Sequence, residues 1–416
     1  MRPGTLGGAR AEVMEGMPFR TVCTGCHSEL ERGFVPFCPG CGAMSDVAYD
    51  LAAVELRDSA DPYVRFRDLL PVHDPELLPE DARFTPTVHA TALGEAIGLP
   101  WLYLKDETRL PTGTTKDRMA AVALPYLHEC GVRRFATSST GNSSSAYGHA
   151  IGRIPGMVLY LFTAAQFRDR VRVPASEQVQ HVVLEDATFV EAFDAARDFA
   201  AQREGIVSER GFFNPGRREG LKLAWLEAND QVPRPIDWYV QAVSSAMGVY
   251  GVFKGARELQ GLGRAERLPR LLCVQQDTCS PMVSAWADGS ERIGPEHIVH
   301  RPTGIAQAIL RGNPTRAYPH VRRIVLESGG EFVSVSEAEI RSARDCVEDL
   351  EGLSPCFTAA AAVAGAIKLR RRGELPPEDT VLINLTGSDR NGSGSPAGAR
   401  WLPRTDRGWD LEAIPG

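Results

Sequence analysis

Short apolar segments alternate with segments of helical periodicity from residue 100 onward, and this alternation constrains the fold more than any other feature of the sequence. Strands are predicted over residues 101–105, 134–138, 157–162, 181–184, 238–243, 271–275 and 381–385. Helices are predicted over residues 117–130, 142–151, 189–203, 219–227, 247–259, 336–350 and 358–371. Several strand segments are apolar on both faces, as in a sheet covered by helices on each side. The pattern predicts an α/β protein with largely parallel sheets.

Length and charge narrow the class of protein. A chain of 416 residues predicts two or three structural units. With 46 Lys and Arg against 53 Asp and Glu, the net charge of −7 argues against a broad nucleic-acid or anionic-membrane surface. No apolar run reaches the length of a membrane span, and the first residues lack the apolar stretch of a secretory signal. We expect a cytoplasmic protein whose residues 1–20 form a flexible tail, with no membrane or nucleic-acid partner.

Four of the nine cysteines form two CxxC pairs near the N-terminus. The pairs are Cys23 with Cys26 and Cys38 with Cys41, and eleven residues, 27–37, separate them. Each pair encloses a Gly, which lets the backbone fold tightly and direct two thiolates at one ion. Four thiolates suit a tetrahedral Zn²⁺; the alternatives are a redox pair or two unrelated pairs. In an acidic chain the ribbon is expected to be a structural staple rather than a reader of nucleic acid.

Lysine is scarce, since only five of the 46 basic Lys and Arg residues are lysines. Lys254 lies within a helical pattern and Lys368 near a helix end, where solvated positions would explain both. Lys116 differs, because it follows the small polar turn 112–115 between a predicted strand and a predicted helix. A lysine at the mouth of a sheet could form a Schiff base with an aldehyde, although an ordinary loop lysine would look the same.

Three further strand ends carry small polar residues. The segment Ser138, Ser139, Thr140, Gly141, Asn142, Ser143, Ser144 and Ser145 opens a predicted helix, where backbone N–H groups and the helix dipole favour an anion. A plain N-cap is the alternative, but eight small polar residues exceed what capping needs. Ser244, Ser245, Ala246, Met247 and Gly248 open another helix in the same way. Thr386 follows the strand at 381–385, at the usual ligand edge of an α/β sheet.

Five segments, taken in order, resemble the threonine synthase branch of the fold type II pyridoxal-phosphate enzymes, relatives of tryptophan synthase β and cysteate synthase. They are KDETRLPTGTTKDR (105–118), STGNSSS (139–145), NPGRREGLK (214–222), TGIAQAILRGNP (303–314) and EGLSPCFT (351–358). The resemblance implies two doubly wound parallel-sheet domains behind an N-terminal zinc ribbon. Their predicted extents are 21–48 for the ribbon, 49–130 with 225–416 for the large cofactor-binding domain, and 131–224 for the small domain.

The resemblance also implies roles for individual residues. Lys116 would carry pyridoxal 5'-phosphate as an internal aldimine and then act as acid and base. Asn142 would hydrogen-bond the 3'-oxygen of the cofactor, residues 244–248 would hold its phosphate, and Thr386 would face the pyridine nitrogen. The segment 138–145 would bind the substrate carboxylate. A homodimer acting on a small amino-acid substrate is expected.

The activity implied is elimination or replacement on an activated amino acid, in first place O-phosphohomoserine and water to threonine and phosphate. The sequence departs from the family pattern in the phosphate loop, SSAMG (244–248), and in the last motif, TGSDRNG (386–392). These departures bear on the substrate rather than on the cofactor. One alternative is β-replacement on O-phosphoserine or a related serine ester, as in cysteate synthases or in the biosynthesis of an unusual amino acid. The other is a non-catalytic binding module whose ribbon recruits a partner.

Overall fold

The computed structural model describes residues 19–31, 33–80, 82–389 and 398–415. Most of the predicted tail, residues 1–18, lies outside the described residues, and residues 19 and 20 begin the first strand. The strands are β1 (Phe19–Cys23), β2 (Ser45–Tyr49), β3 (Thr87–His89), β4 (Leu102–Asp106), β5 (Arg134–Ser138), β6 (Val158–Ala164), β7 (Val179–Leu184), β8 (Ile206–Ser208), β9 (Trp238–Ala242), β10 (Arg270–Gln276), β11 (Glu331–Val335), β12 (Val381–Leu385) and β13 (Arg400–Leu402).

Helices follow or precede most of these strands. They are α1 (Pro62–Arg65), α2 (Thr91–Ile97), α3 (Lys116–Glu129), α4 (Asn142–Ala150), α5 (Phe189–Ala201), α6 (Pro215–Leu221), α7 (Leu223–Gln231), α8 (Met247–Gly261), α9 (Pro281–Ala287), α10 (Tyr318–Ser328), α11 (Glu337–Glu351) and α12 (Phe357–Arg371). The single helix predicted over 219–227 is two helices, α6 and α7, which meet at Lys222. Among the described residues, none of these helices is both long and apolar enough to cross a membrane.

Two sheets form the body of the protein. The larger has the order β11-β10-β9-β12-β4-β3, and its neighbours are parallel except for the β3–β4 pair. The smaller has the order β13-β7-β6-β5-β8 and is parallel throughout. The parallel α/β architecture predicted from the sequence is therefore confirmed. Residues 400–402 pair with the smaller sheet, whereas the predicted division grouped them with the larger one.

Helix α12 shows why the sequence folds as it does on one side of the larger sheet. Its residues 358–366 are all buried, and most are alanines. Alanine has the highest helix propensity, and its small side chain lets the helix approach the sheet closely. The approach is so close at Gly365 that an added Cβ would lie 2.4 Å from Val274 of β10.

The segment 62–72, between the ribbon and the first strand of the larger sheet, packs most of its apolar side chains into the core. Phe66 and Leu69 are fully buried, and Leu70 and Val72 nearly so. They join the hydrophobic core that also contains residues of α3 and α7. The helix α1 begins at the cap Asp61, whose carboxylate accepts hydrogen bonds from the backbone N–H groups of Tyr63 and Val64.

Strands β1 and β2 form an antiparallel hairpin that carries the two CxxC pairs. The hairpin contacts the body through β2, whose Ser45 and Asp46 are buried. The side chain of Arg218 in α6 donates a hydrogen bond of 2.6 Å to the backbone oxygen of Ser45. The ribbon is thus packed on the same helix that, on its other side, borders the cavity described below.

Candidate active site

One cavity at the carboxyl ends of the larger sheet brings together residues that lie far apart in the sequence. Most of the predicted site residues line it, namely Lys116, Ser138, Ser139, Thr140, Asn142, Ser143, Ser244, Ser245, Ala246, Met247, Gly248 and Thr386. The three remaining predicted substrate residues, Gly141, Ser144 and Ser145, are not part of its lining. They lie in the same turn and hold its shape.

The loop before Lys116 is fixed by hydrogen bonds at both ends. The backbone N–H and hydroxyl of Thr112 donate to the carboxylate of Asp117, at 2.7 and 2.8 Å. The backbone N–H of Thr115 donates to the carbonyl of Thr386 at 3.0 Å. This second bond joins the loop before α3 to the end of β12. Because of it, Lys116 and Thr386 line the same cavity although 269 residues lie between them in the sequence.

The chemistry of Lys116 follows from its surroundings. Burial, and then the nearby guanidinium of Arg217, lower the pKa of Lys116 from 10.5 to about 8. A neutral amine is the nucleophilic form that attacks an aldehyde, so this environment favours Schiff-base chemistry near neutral pH. The site therefore can hold a carbonyl cofactor covalently.

The serine-rich turn between β5 and α4 is held by its own side chains. The hydroxyl of Ser139 accepts hydrogen bonds from the backbone N–H groups of Gly141 and Ser144, at 3.1 and 3.0 Å, and bonds the Ser144 hydroxyl at 2.6 Å. Ser145 donates to the carbonyl of Gly141 at 2.9 Å. In the described part of the chain the buried Ser138 Oγ has no hydrogen-bond partner. A polar ligand in the cavity would supply one.

The turn before α8 presents backbone N–H groups to the same cavity. Ala246 adopts the left-handed conformation, with φ 56°, and no side chain caps the helix that starts at Met247. A Cβ on Gly248 would lie 2.7 Å from the amide nitrogen of Gln241, a side chain that Tyr239 holds with a hydrogen bond of 2.6 Å. Open N–H groups at the start of a 15-residue helix favour an anion, and a phosphate fits this requirement.

Two arginines that line the cavity, Arg217 and Arg311, were not among the predicted site residues. The guanidinium of Arg217 forms a buried ion pair with Glu209 and donates a hydrogen bond to Thr137 Oγ1 at 3.2 Å. Arg311 packs beside the rings of Phe189 and Phe193, at 5.4 and 5.9 Å from their centres. Both arginines lie in the motifs NPGRREGLK and TGIAQAILRGNP, so the signal was present, but the motifs alone did not say which side chain would face the cavity.

The two arginines leave this side of the cavity with an excess of positive charge. Glu209 pairs with Arg217, whereas Arg311 has no ion pair with any carboxylate of the described residues, and its buried Nε lacks a hydrogen-bond partner. Burial, and then Arg217, lower the pKa of Arg311 to about 10, so that it stays charged at neutral pH. A second anionic group, apart from one held at the start of α8, would match this excess.

The four cysteines of the ribbon converge as predicted. Their Sγ atoms all lie within 4.8 Å of one another, with 3.3 Å between Cys23 and Cys41 and 3.8 Å between Cys26 and Cys38. A tetrahedral Zn²⁺ with bonds of about 2.3 Å places its sulfur ligands about 3.8 Å apart. The donor set and its spacing therefore fit this metal.

The expectation that Lys254 lies on a solvated face of its helix is wrong. Its ammonium group forms a buried cluster with Glu219 at 2.8 Å and with Glu258. Lys222 pairs with the same two carboxylates, and the hydroxyl of Tyr49 in β2 donates to Glu219 at 2.7 Å. Sequence periodicity gave no sign of this cluster because its members come from three elements.

Comparison with known proteins supports the resemblance over most of the chain. The profile of the pyridoxal-phosphate dependent enzymes matches residues 79–387. A threonine synthase of Methanosarcina acetivorans is 32% identical over 89% of this chain and 91% of that protein. A cysteate synthase of Methanospirillum hungatei JF-1 is 25% identical over 94% of each.

Solved structures show the same fold at low sequence identity. Maize serine racemase matches with a TM-score of 0.60 and 18% identity, over 76% of this chain and 89% of that one. A processed threonine deaminase isoform from Solanum lycopersicum matches with a TM-score of 0.59 and 18% identity, over 74% and 85%. The family is one of enzymes, which sets aside the alternative of a non-catalytic binding module. The chain belongs to the pyridoxal-phosphate dependent enzymes of fold type II.

Proposed function

We propose that this enzyme carries out elimination and replacement on a phosphorylated amino acid, converting O-phosphohomoserine and water to threonine and phosphate. The observation that carries the proposal is a pair of arginines, Arg217 and Arg311, which line the cavity that contains Lys116 and are opposed by the single carboxylate of Glu209. The named relatives give independent support, since a threonine synthase is 32% identical over most of the chain.

The residues present fit the cofactor of the family. Lys116 would hold its aldehyde carbon, the N–H groups of 244–248 its phosphate, Asn142 its 3'-oxygen, and Thr386 would face its pyridine nitrogen. A hydroxyl at that nitrogen leaves it largely uncharged, which suits elimination and replacement better than transamination. When bound, pyridoxal phosphate supplies the electron sink that stabilises negative charge at the substrate Cα.

The remaining steps fall to the chain's own groups. The turn 138–145 would bind the substrate carboxylate through its N–H groups and hydroxyls, with the free Oγ of Ser138 facing the cavity. Arg217 and Arg311 would bind the substrate phosphate and stabilise it as it leaves. The Nζ of Lys116 would take one proton from Cα and one from Cβ, and the Cγ–O bond would break as phosphate leaves. The amine would return one proton to Cγ and one to Cα, while the hydroxyl of water adds at Cβ and its remaining proton goes to the released phosphate.

Phosphate release from the purified holoenzyme tests the proposal. O-phosphohomoserine and O-phosphoserine are supplied separately, and the amino-acid products are identified. Release from the first with formation of threonine supports the proposal. Release from the second alone, dependent on an added nucleophile, would contradict it and favour the alternative.

Substitution of Arg311 tests the proposed phosphate subsite. Arg311→Met removes a charged hydrogen-bond donor worth about 1.5–3 kcal/mol, so we expect kcat/KM for the phosphorylated substrate to fall about 10- to 100-fold. Arg301→Met, at an exposed position outside the cavity lining, is the matched control. Equal kinetics in the two variants would exclude Arg311 from the subsite.

β-Replacement on O-phosphoserine is the second candidate, and the similarity to cysteate synthases supports it. Cysteate synthases are 25–26% identical to the chain over 89–94% of its length. The same phosphate-release assay distinguishes this reaction, which needs an added nucleophile.

We infer that the ribbon binds one structural Zn²⁺ through Cys23, Cys26, Cys38 and Cys41. Cys38→Ser is expected to abolish stoichiometric zinc and lower the melting temperature, because binding a metal to the folded ribbon contributes folding free energy. Cys346→Ser, in α11 and outside the ribbon, is the control. Unchanged zinc content and stability in the Cys38 variant would refute the site.

The remaining proposals concern the whole molecule. We propose a homodimer, as the resemblance implies, and sedimentation velocity measures it directly. We also propose a cytoplasmic location, supported by the fact that none of the nine cysteines, all of them described residues, forms a disulfide. The division into a ribbon, a large domain and a small domain at the residues given above is likewise a proposal, which limited proteolysis tests.

A further inference from the structure

Three consecutive residues of α6 point to different parts of the molecule. Arg217 lines the cavity and pairs with Glu209. Arg218 faces the ribbon, where it bonds the Ser45 carbonyl at 2.6 Å and pairs with Asp46 at 3.3 Å. One turn of helix therefore connects the proposed anion subsite with the metal ribbon.

The contacts on the ribbon side reach the cavity wall as well. The other amino group of the Arg218 guanidinium donates to the carbonyl of Phe212, a residue of the cavity lining, at 2.6 Å. Next to it, Glu219 accepts the hydrogen bond of 2.7 Å from the hydroxyl of Tyr49 in β2. Arg218 and Glu219 are fully buried, so water does not compete for these bonds.

Helix α6 has little freedom to move away from these contacts. On one side, a Cβ added at Gly220 of α6 would lie 2.2 Å from the backbone oxygen of Arg118 in α3. On the other side, a Cβ added at Gly251 of α8 would lie 2.3 Å from the backbone oxygen of Arg218 in α6. Helix α6 is thus held between the helix that begins at Lys116 and the helix that begins at Met247. Backbone packing this close transmits a displacement rather than absorbing it.

We propose that the ribbon positions Arg217 for the anionic group of the substrate, with Arg218 and Glu219 as positioning residues. The proposal rests on the proposed function for the role of Arg217, and it gives the metal a purpose beyond stability. A folded ribbon fixes β2, β2 fixes the ribbon face of α6, and α6 fixes the guanidinium in the cavity.

The variant Tyr49→Phe tests the connection without touching the cysteines or the cavity. The holoenzyme is titrated with inorganic phosphate by calorimetry, and KM and kcat are measured with O-phosphohomoserine. We expect the Kd for phosphate and the KM to rise about tenfold, with kcat and the visible cofactor spectrum retained. Tyr160→Phe, which removes a hydroxyl from a buried ring in the smaller sheet, is the matched control and should leave all four quantities unchanged.

Removal of the metal provides the second arm. Chelation of the wild-type holoenzyme, verified by metal analysis, should raise the Kd for phosphate by a similar factor, and restored Zn²⁺ should reverse it. The inference would be overturned if Tyr49→Phe and the chelated wild type both had a lower melting temperature but an unchanged Kd for phosphate. The ribbon would then have a structural role only. If the enzyme releases phosphate from neither substrate, the proposed function fails, whereas the Kd for inorganic phosphate still decides whether the ribbon positions Arg217.

Discussion

Lys116 illustrates how the fold tunes a single residue. Its side chain is partly buried beside Arg217, and both effects favour the neutral amine. The folded pKa of about 8 lies below the ordinary value of 10.5. Between these values the unfolded chain binds more protons than the folded one, so the stability of the cofactor-free protein should rise with pH across this window.

The same shift predicts how the cofactor-free protein takes up pyridoxal phosphate. The rate at which the visible absorbance of the bound cofactor appears should increase with pH and reach half its maximum near pH 8, because only the neutral amine reacts. Stopped-flow mixing over a range of pH measures this rate. Lys116→Ala should show no visible band at any pH, whereas Lys368→Ala, a control in α12 away from the cavity, should behave as wild type. A half-maximum near pH 10.5 would contradict the assigned environment.

At the scale of elements, the close contact between α3 and α6 controls the geometry of the cavity. Glycine at position 220 allows the two helix backbones to touch, since an added Cβ would overlap the carbonyl of Arg118 at 2.2 Å. The helices carry Lys116 and Arg217, so the spacing between them sets the distance between the amine of Lys116 and the proposed anion subsite.

Gly220→Ala is therefore expected to lower the free energy of unfolding by about 2 kcal/mol or more, as for other overpacked sites, and to reduce kcat/KM. Gly152→Ala is the matched control, because its Cβ would meet no atom within 4 Å and its φ is not in the left-handed region. Urea denaturation of both variants measures the difference. Equal stability would mean that α6 can shift freely, which would also weaken the inference about the ribbon.

At the scale of the whole molecule, buried charge clusters connect elements that are distant in sequence. Glu219 joins Tyr49 of the ribbon to Lys222 and to Lys254 of α8. Burial alone would raise the pKa of Glu219, but the two ammonium groups overcome it and lower the pKa from 4.5 to about 2. A carboxylate whose pKa is lower in the folded than in the unfolded state stabilises the fold fully at pH values above its pKa in the unfolded chain. This contribution is lost as the pH falls towards 2.

Acid unfolding tests this cluster. As Glu219 becomes protonated between about pH 4.5 and pH 2, the free energy of unfolding of the wild-type protein should fall by roughly 3 kcal/mol. The Glu219→Gln variant should lack that part of the pH dependence and should be less stable than the wild type at pH 7. Denaturant unfolding at several pH values measures both effects. Glu337→Gln, an exposed residue of α11, is the control for a solvated carboxylate. If the free energies of unfolding of the wild type and of Glu219→Gln changed in parallel with pH, the cluster would not be the source of this stability.

The sequence by itself determined the parallel α/β architecture and marked most of the segments that line the candidate site. Apolar runs specified the seven central strands of the two sheets, β4, β5, β6, β7, β9, β10 and β12, because a buried parallel strand needs apolar side chains on both faces. The edge strands β3, β8, β11 and β13 were not predicted. Small polar residues marked the turns at 138–145, 244–248 and 386, since only such residues leave backbone N–H groups open to an anion. The CxxC spacing marked the ribbon, and the structure brings its four sulfur atoms within 4.8 Å.

Only the tertiary structure decided which charged residues face the cavity and which are buried elsewhere. Arg217, Arg218 and Glu219 are neighbours in the sequence, yet one lines the cavity and two face the ribbon. Local patterns cannot separate them, because the partners of a buried charge come from other elements and the cost of burial depends on those partners. For the same reason Lys254, which looks solvated in the sequence, lies in a buried cluster. The contacts between the ribbon and α6 likewise became visible only in three dimensions.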